Sequence, residues 1–130
     1  MSTADAPLPV APQIGGPAPR ILVISAPYYR DVVEGMLHAA QEIFAQVKAD
    51  VEIIEIAGAY ELPQALAIAA GGKDGFDGYV TLGCVVRGET DHYEFVCDAA
   101  MTGMINVAAR QRLALGTGLL TVDTLAPVSY

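Results

Sequence analysis

Short, mostly apolar runs alternate along this chain with longer segments of helical periodicity. The runs lie at residues 21–24, 51–56, 79–86 and 118–122. Such runs are typical of parallel strands buried on both faces, because strands that face water on one side alternate apolar and polar residues. The alternation of runs and helical segments therefore predicts βαβ units and a parallel, four-stranded sheet of the α/β class.

Three helices are predicted between these strands. The first follows Asp31, which can cap it, and carries His38 outside its apolar face, so that His38 is expected at the surface. The second opens at 60–61, tolerates Pro63 in its first turn and ends at the glycine-rich segment 71–75. The third spans about 93–112. Its predicted inner face comprises Val96, Cys97, Ala100, Met104 and Val107.

Composition limits the classes of protein to which the chain can belong. Its 130 residues suffice for one compact domain, and 53% are hydrophobic while only 17% are charged. The alanine-rich apolar excess suits close helix packing and buried subunit contacts. A net charge of −8 without a basic stripe makes nucleic acid and anionic membranes poor partners.

The cysteines and the N-terminal segment indicate a cytoplasmic protein. Cys84 and Cys97 lie in apolar stretches and are expected to be reduced core thiols. Residues 1–19 lack the pattern of a signal peptide and are rich in Pro, Ala and Gly, which predicts a flexible arm. That arm is either a disordered tail or a strand added to a neighbouring subunit. Two separated histidines and two separated cysteines give no metal-ligand spacing.

Three loops follow the first three strands, at 26–30, 57–63 and 87–92. In parallel α/β sheets, ligands bind outside the carboxyl ends of the strands. In the third loop, Gly88 allows close backbone approach, Thr90 offers a hydroxyl, and the next helix begins nearby, so the loop can bind an anion such as phosphate. Glu89 and Asp91 are then expected to face away, with Arg87 to counter their charge. The alternative is an ordinary loop with a capping side chain.

Five other side chains at this edge could carry chemistry or bind a ligand. His92, at the start of the third helix, suits a base or proton relay, although it could also be a simple surface residue. Glu61 could accept hydrogen bonds from a polyol beside Tyr60, or merely favour the helix dipole. Tyr28, with Tyr29, could stack on a flat heterocycle or only cover the end of the sheet.

Two motifs in this order and separation resemble those of 6,7-dimethyl-8-ribityllumazine synthases. They are GAYELP at 58–63 and GCVVRGETDHY at 83–93, and GTGLLTVD at 116–123 is similar to the family's last strand. The resemblance covers residues 20 to 125. It implies a flavodoxin-like, three-layer αβα fold. It also implies condensation of 5-amino-6-(D-ribitylamino)uracil with 3,4-dihydroxy-2-butanone 4-phosphate in riboflavin biosynthesis, with no metal or organic cofactor. Family members form homopentamers or multiples of them, with each site between two neighbours.

The resemblance also implies a role for each matching residue. His92 would transfer protons, the backbone of Gly88, Glu89 and Thr90 would hold the phosphate, and Tyr28 would stack on the heterocycle. The remaining matches are Val85 and Val86 at the pyrimidine, Arg87 in the phosphate loop, and Ala59, Tyr60 and Glu61 at the ribityl chain.

Three departures from the family pattern shape the expectations. Pro27 and Tyr28 stand where Arg-Phe is common, and Thr117 stands where the family commonly has Phe. The chain stops at Tyr130, where the family continues with a helix that carries basic phosphate-binding residues. Residues 20–130 are thus expected to form one domain without that helix, and Leu119, Leu120 and Val122 to keep apolar surface exposed. The alternative function is a non-catalytic, lumazine- or flavin-binding or shell-forming subunit on the same scaffold.

Overall fold

Four parallel strands form one sheet, in the order β2-β1-β3-β4. The computed structural model describes residues 10–73, 75–89 and 92–125. Short 3-10 turns, Ala59–Glu61 and Arg87–Glu89, follow β2 and β3. The elements are β1 (Arg20–Ser25), α1 (Arg30–Gln46), β2 (Asp50–Glu55), α2 (Leu62–Ala70), β3 (Gly78–Val86), α3 (Tyr93–Gln111) and β4 (Leu115–Val122).

Helices cover both faces of the sheet, which confirms the predicted three-layer αβα architecture. Alternate residues of the central strand β1 divide between the two faces, with Leu22 and Ile24 in one buried cluster and Val23 in the other. The first cluster includes Leu66 of α2 and Met104 of α3, whereas the second includes residues of α1. Burial of each large side chain contributes about 1.5–3 kcal/mol, so the central strands are held from both sides.

The buried faces of the helices agree with those predicted from the apolar periodicity, but the N-cap of α1 differs from the predicted one. Ala100 and Met104 of α3 are fully buried, and the rest of its predicted inner face packs around them. Tyr29, not Asp31, is the N-cap of α1. Asp31 lies in the first turn, where a carboxylate still interacts favourably with the helix dipole. His38 is exposed as predicted, with Nε2 3.4 Å from Oε1 of Glu42.

Strand β4 begins three residues before its predicted start at Gly118. Glycines at 116 and 118 weaken the strand signal, yet β4 pairs with β3 from Leu115 onward. The hydroxyls of Thr81 and Thr117 are hydrogen-bonded at 3.0 Å across these strands. A Cβ on Gly118 would lie 2.9 Å from Cδ2 of Leu82, so the missing side chain allows close packing here. Along the rest of β4, Leu120 is exposed, whereas Leu119 and Val122 are half-buried.

The segments at the two ends of the chain are described only in part. Residues 10–19 precede β1 and are mostly exposed, and the carbonyl of Pro19 accepts a hydrogen bond from the amide of Asp50 at 2.8 Å. Residues 1–9 and 126–130 lie outside the described residues, so the flexible arm stays a prediction. Among the described helices, none is long and apolar enough to cross a membrane.

Candidate active site

A cavity of about 240 Å³ lies at the carboxyl ends of the central strands, and is called the first cavity below. Tyr28 packs edge-on against Tyr29, with ring centroids 4.9 Å apart at 78°, and Tyr28 is 75% exposed. Its ring face is therefore open to a flat ligand. The cavity is lined by Tyr28, Tyr29, Gly58, Ala59, Cys84, Val85, Val86 and Val96.

A second cavity of about 510 Å³ adjoins the first and is lined by Tyr60, His92, Phe95 and Val96. Val96 is common to both cavities, and Tyr60 directly follows Ala59 of the first. The rings of Tyr60 and Phe95 stack with centroids 5.8 Å apart and 22° between their planes. This second cavity combines an aromatic wall with an imidazole, so it can hold an apolar part of a ligand beside a proton-transfer group.

His92 is the N-cap residue of α3. Its carbonyl accepts a hydrogen bond from the amide of Val96 at 2.9 Å, and its side chain is exposed. A neutral imidazole can accept a proton at one nitrogen and donate one at the other.

The lack of a side chain at Gly58 leaves room for the Glu61 carboxylate beside the backbone. A Cβ on Gly58 would lie 3.2 Å from Oε2 of Glu61, so a larger residue would press on that oxygen. The amide of Glu61 also donates to the carbonyl of Gly58 at 3.1 Å, which closes the turn before α2. Glu61 is exposed at the same edge as both cavities and is available to accept hydrogen bonds.

Arg87, directly after β3, is engaged by two carboxylates and a ring. Its Nε donates to Oδ1 of Asp123 at 2.9 Å, and its Nη1 to Oε1 of Glu94 at 3.4 Å. Its Cζ lies 4.6 Å from the centroid of the Tyr93 ring. Desolvation lowers its pKa, but the hydrogen bond and the charges of Asp123 and Glu94 outweigh this, so that its pKa is raised.

Comparison with known proteins decides the family. A sequence model of 6,7-dimethyl-8-ribityllumazine synthase matches residues 18–127, which include both cavities and every described strand. The chain belongs to the 6,7-dimethyl-8-ribityllumazine synthase family. The resemblance inferred from the GAYELP and GCVVRGETDHY motifs is thereby confirmed, together with the flavodoxin-like fold.

Three relatives, all named 6,7-dimethyl-8-ribityllumazine synthase, illustrate the similarity. The protein of Methylobacterium sp. (strain 4-46) is 41% identical over 109 residues, which are 81% of this chain and 60% of the relative. That of Methylorubrum populi is 39% identical over 126 residues, or 94% and 73%. That of Bartonella tribocorum is 37% identical over 105 residues, or 81% and 70%. The chain thus spans 60 to 73% of the length of these relatives.

Within this lumazine synthase fold, the predicted site residues divide between the two cavities. Tyr28, Ala59, Val85 and Val86 line the first cavity, and Tyr60 and His92 line the second. Arg87 and Gly88 are exposed in the turn after β3, where the backbone of Glu89 also lies, and Glu61 closes the turn before α2. Thr90 and Asp91 lie outside the described residues, so their predicted roles are not addressed by the structure.

The sequence interpretation missed three cavity residues of this lumazine synthase family member: Cys84, Phe95 and Val96, the last of which was predicted only for the core face of α3. Phe95 follows His92 by three positions, a spacing that places two residues on the same side of a helix. Cys84 lies two residues before the end of β3, but its apolar neighbours made it look like core alone. Both thiols are free, as predicted. Among the described residues, no group of three or more His, Cys, Asp and Glu side chains is arranged to hold a metal ion.

Burial governs the ionisation of both thiols. Desolvation raises the pKa of Cys84, which is only 5% exposed. Desolvation also raises the pKa of Cys97, although a hydrogen bond with Tyr93 and the charge of Arg87 act in the opposite direction. Cys84 therefore presents a neutral, weakly polar group to the first cavity at neutral pH.

Proposed function

We propose that this chain is a cytoplasmic transferase that forms 6,7-dimethyl-8-ribityllumazine in riboflavin biosynthesis. Its substrates would be 5-amino-6-(D-ribitylamino)uracil and 3,4-dihydroxy-2-butanone 4-phosphate. One observation carries the proposal: the family motifs converge at one sheet edge on two cavities that share Val96. One cavity offers an open aromatic ring, and the other offers an imidazole.

The proposed roles follow the chemistry of each side chain. The pyrimidine would stack on Tyr28 against Val85 and Val86, while its ribityl hydroxyls extend along the turn Ala59–Glu61. The Glu61 carboxylate would accept hydrogen bonds from those hydroxyls. The phosphate would lie at the turn Arg87–Glu89 and Thr90, next to the amino end of α3.

His92 would move protons between the condensing groups. The reaction joins the two exocyclic nitrogens of the uracil to two neighbouring carbons of the butanone phosphate, which closes a second ring and releases phosphate and two waters, so it requires proton transfers at nitrogen and oxygen. Holding the two substrates in adjoining cavities makes their encounter effectively unimolecular, and this orientation supplies most of the rate. Acid–base help from His92 then adds a smaller factor.

We further propose that the chain acts as a cyclic homo-oligomer, a pentamer or a multiple of it. Large apolar side chains are exposed on the helical layer formed by α2 and α3, where Ile68, Phe95 and Ile105 are 68%, 62% and 61% exposed. The sequence of α2, LPQALAIAA, contains no charged residue. A helix that is apolar all round is typically buried, so a second copy is the natural cover for this layer.

A turnover assay with both substrates tests the proposed activity. We expect the chain to form product, detected by the visible absorbance and mass of the lumazine, and to require both substrates. An oligomer that binds the lumazine product but forms none from the substrates would contradict the enzymatic proposal. That result would favour the non-catalytic binding subunit, which the first cavity also supports because it forms without His92.

A further inference from the structure

The side chain of Arg87 connects the two ends of the loop that contains His92. The loop leaves β3 at Arg87 and returns to regular structure at Tyr93, the first residue of α3. The guanidinium covers the Tyr93 ring at 4.6 Å and binds Glu94 at 3.4 Å. One side chain thus starts at the first residue of the loop and contacts the residues directly after its last.

A second set of contacts fixes the same loop to the neighbouring strand. Arg87 Nε donates to Oδ1 of Asp123 at 2.9 Å, and the amide of Gly88 donates to the carbonyl of Asp123 at 3.3 Å. Asp123 directly follows β4, which pairs with β3 along its whole length. The guanidinium therefore joins the end of β3, the end of β4 and the start of α3.

We infer that Arg87 is a positioning residue that sets the place of His92 and of the Gly88 backbone, and does not itself bind the substrate phosphate. Two carboxylates already neutralise its charge, and two of its nitrogens donate to them. The planar guanidinium can donate hydrogen bonds in several directions and lie against a ring at the same time, which suits a residue that connects several groups. A lysine would supply the same charge without either property. The inference rests on the proposed function, because His92 and this turn are the parts that the function uses.

A double-mutant cycle distinguishes positioning from direct phosphate binding. In Arg87→Gln, we expect kcat to fall and KM for the phosphorylated substrate to rise by about 3- to 10-fold, with KM for the uracil less affected. Asp123→Ala should change the same parameters in the same direction, and the double variant should be no worse than the poorer single variant. Non-additivity of this kind is the signature of two residues that act through one contact.

Direct binding predicts a different pattern. If Arg87 held the phosphate, Asp123→Ala would release the guanidinium and would leave KM for the phosphorylated substrate unchanged or lower it. The two substitutions would then have independent or opposite effects, and the inference would be overturned. Arg87→Lys keeps the charge but lacks the planar guanidinium and its ring contact. It should therefore recover less than half of the kcat/KM that Arg87→Gln loses.

Imidazole NMR of the histidine-labelled protein tests the inference without turnover. His92 and His38 are the two histidines of the chain, and His38 lies on α1, away from the loop. In both Arg87→Gln and Asp123→Ala, we expect the His92 signals to shift in the same direction while the His38 signals remain in place. His92 signals unchanged in both folded variants would refute the positioning role, whereas absence of turnover in the native chain would refute only the proposed function.

Discussion

His92 lines the second cavity at the amino end of α3, together with the stacked rings of Tyr60 and Phe95. Its position gives it access to a bound substrate and places it in the positive field of a helix end. Neither the other histidine nor either cysteine combines these properties. His38 points to solvent on α1, and Cys84 is buried at the first cavity.

Replacement of His92 by alanine is expected to lower kcat by about 10- to 1,000-fold, because orientation of the substrates supplies most of the rate. KM for both substrates should change little. Steady-state kinetics of His92→Ala measure the effect, and His38→Ala serves as the matched control that keeps native kcat. A His92→Ala variant with native kcat would remove this residue from the proposed mechanism.

The two thiols should differ in their reaction with iodoacetamide. Alkylation requires the thiolate, and burial raises the pKa of both groups, with partial compensation only at Cys97. The alkylation rate of Cys84 should therefore rise with pH at values above about 8.5, the ordinary thiol pKa, and Cys97 should react first at pH 8. Peptide mass spectrometry after timed quenching measures both rates, and the unfolded chain gives the reference. Equal rates at Cys84 in the folded and unfolded chain would contradict the prediction.

Most residues that line the two cavities could be named from the sequence because each lies in a loop or at a strand end of one sheet edge. The parallel order of the strands alone places Tyr28, Ala59 and Val85 at the same edge of the sheet, independently of their side chains. What the sequence could not reveal was the division into two cavities, since that depends on where Val96 projects from α3. The contacts of Arg87 were also hidden, because Asp123 lies 36 residues away in the chain.

At the scale of elements, the contact between α2 and α3 determines where His92 and Val96 lie. Gly103 of α3 faces Pro63 of α2, and a Cβ at Gly103 would lie 2.7 Å from Cγ of the proline ring. The ring is rigid and cannot move aside as a flexible side chain would. The absence of a side chain at position 103 therefore sets the distance between these helices.

Gly103→Ala is expected to lower the free energy of unfolding by about 1–3 kcal/mol, because overpacking forces the two helices apart. Gly35→Ala on α1 is the matched control. A Cβ there meets nothing within 4 Å, so the same substitution should stabilise the protein by about 0.5–1 kcal/mol through helix propensity. Urea unfolding of the two variants measures both signs. Equal free energies of unfolding for the two variants would contradict the prediction, because they would show that α2 and α3 can move apart at little cost.

Elements with a strong apolar period were predictable, whereas those marked by glycine were not. The inner face of α3 follows from residues three and four apart, and its predicted members all pack in the core, although Tyr93 and Met101 of α3 also pack there. The start of β4 was misplaced because Gly116 carries no strand signal, so the predicted strand began only at Gly118, whereas β4 pairs with β3 from Leu115 onward.

For the whole molecule, charge and apolar surface are unevenly distributed. The chain has a net charge of −8, yet α2 carries no charged residue and exposes Ile68. A surface of this kind is unfavourable in water and favourable between copies. Val96 of this layer lines both cavities and Phe95 lines the second, so assembly and catalysis are expected to depend on each other.

Ile68→Glu is expected to shift the oligomer toward monomers and to reduce turnover at micromolar concentration, because a charge would be buried at the subunit contact. Sedimentation velocity measures the shift. Gln41→Glu, on exposed α1 across the sheet, adds the same charge and should leave the assembly intact. A native chain that is monomeric and fully active would contradict the proposed oligomer.

The strand order also has a consequence for how the chain acquires its structure on the ribosome. Of the described strands, β1 is made first; it lies inside the sheet, and one of its neighbours is β3. Arg20 and Asp77, which are hydrogen-bonded beside this pair, are 57 residues apart. At roughly 5–20 residues per second, translation takes about 3 to 11 s between them. For that interval, one edge of β1 has no partner strand, which makes the nascent βαβ segment a natural client for chaperones that shield apolar strands.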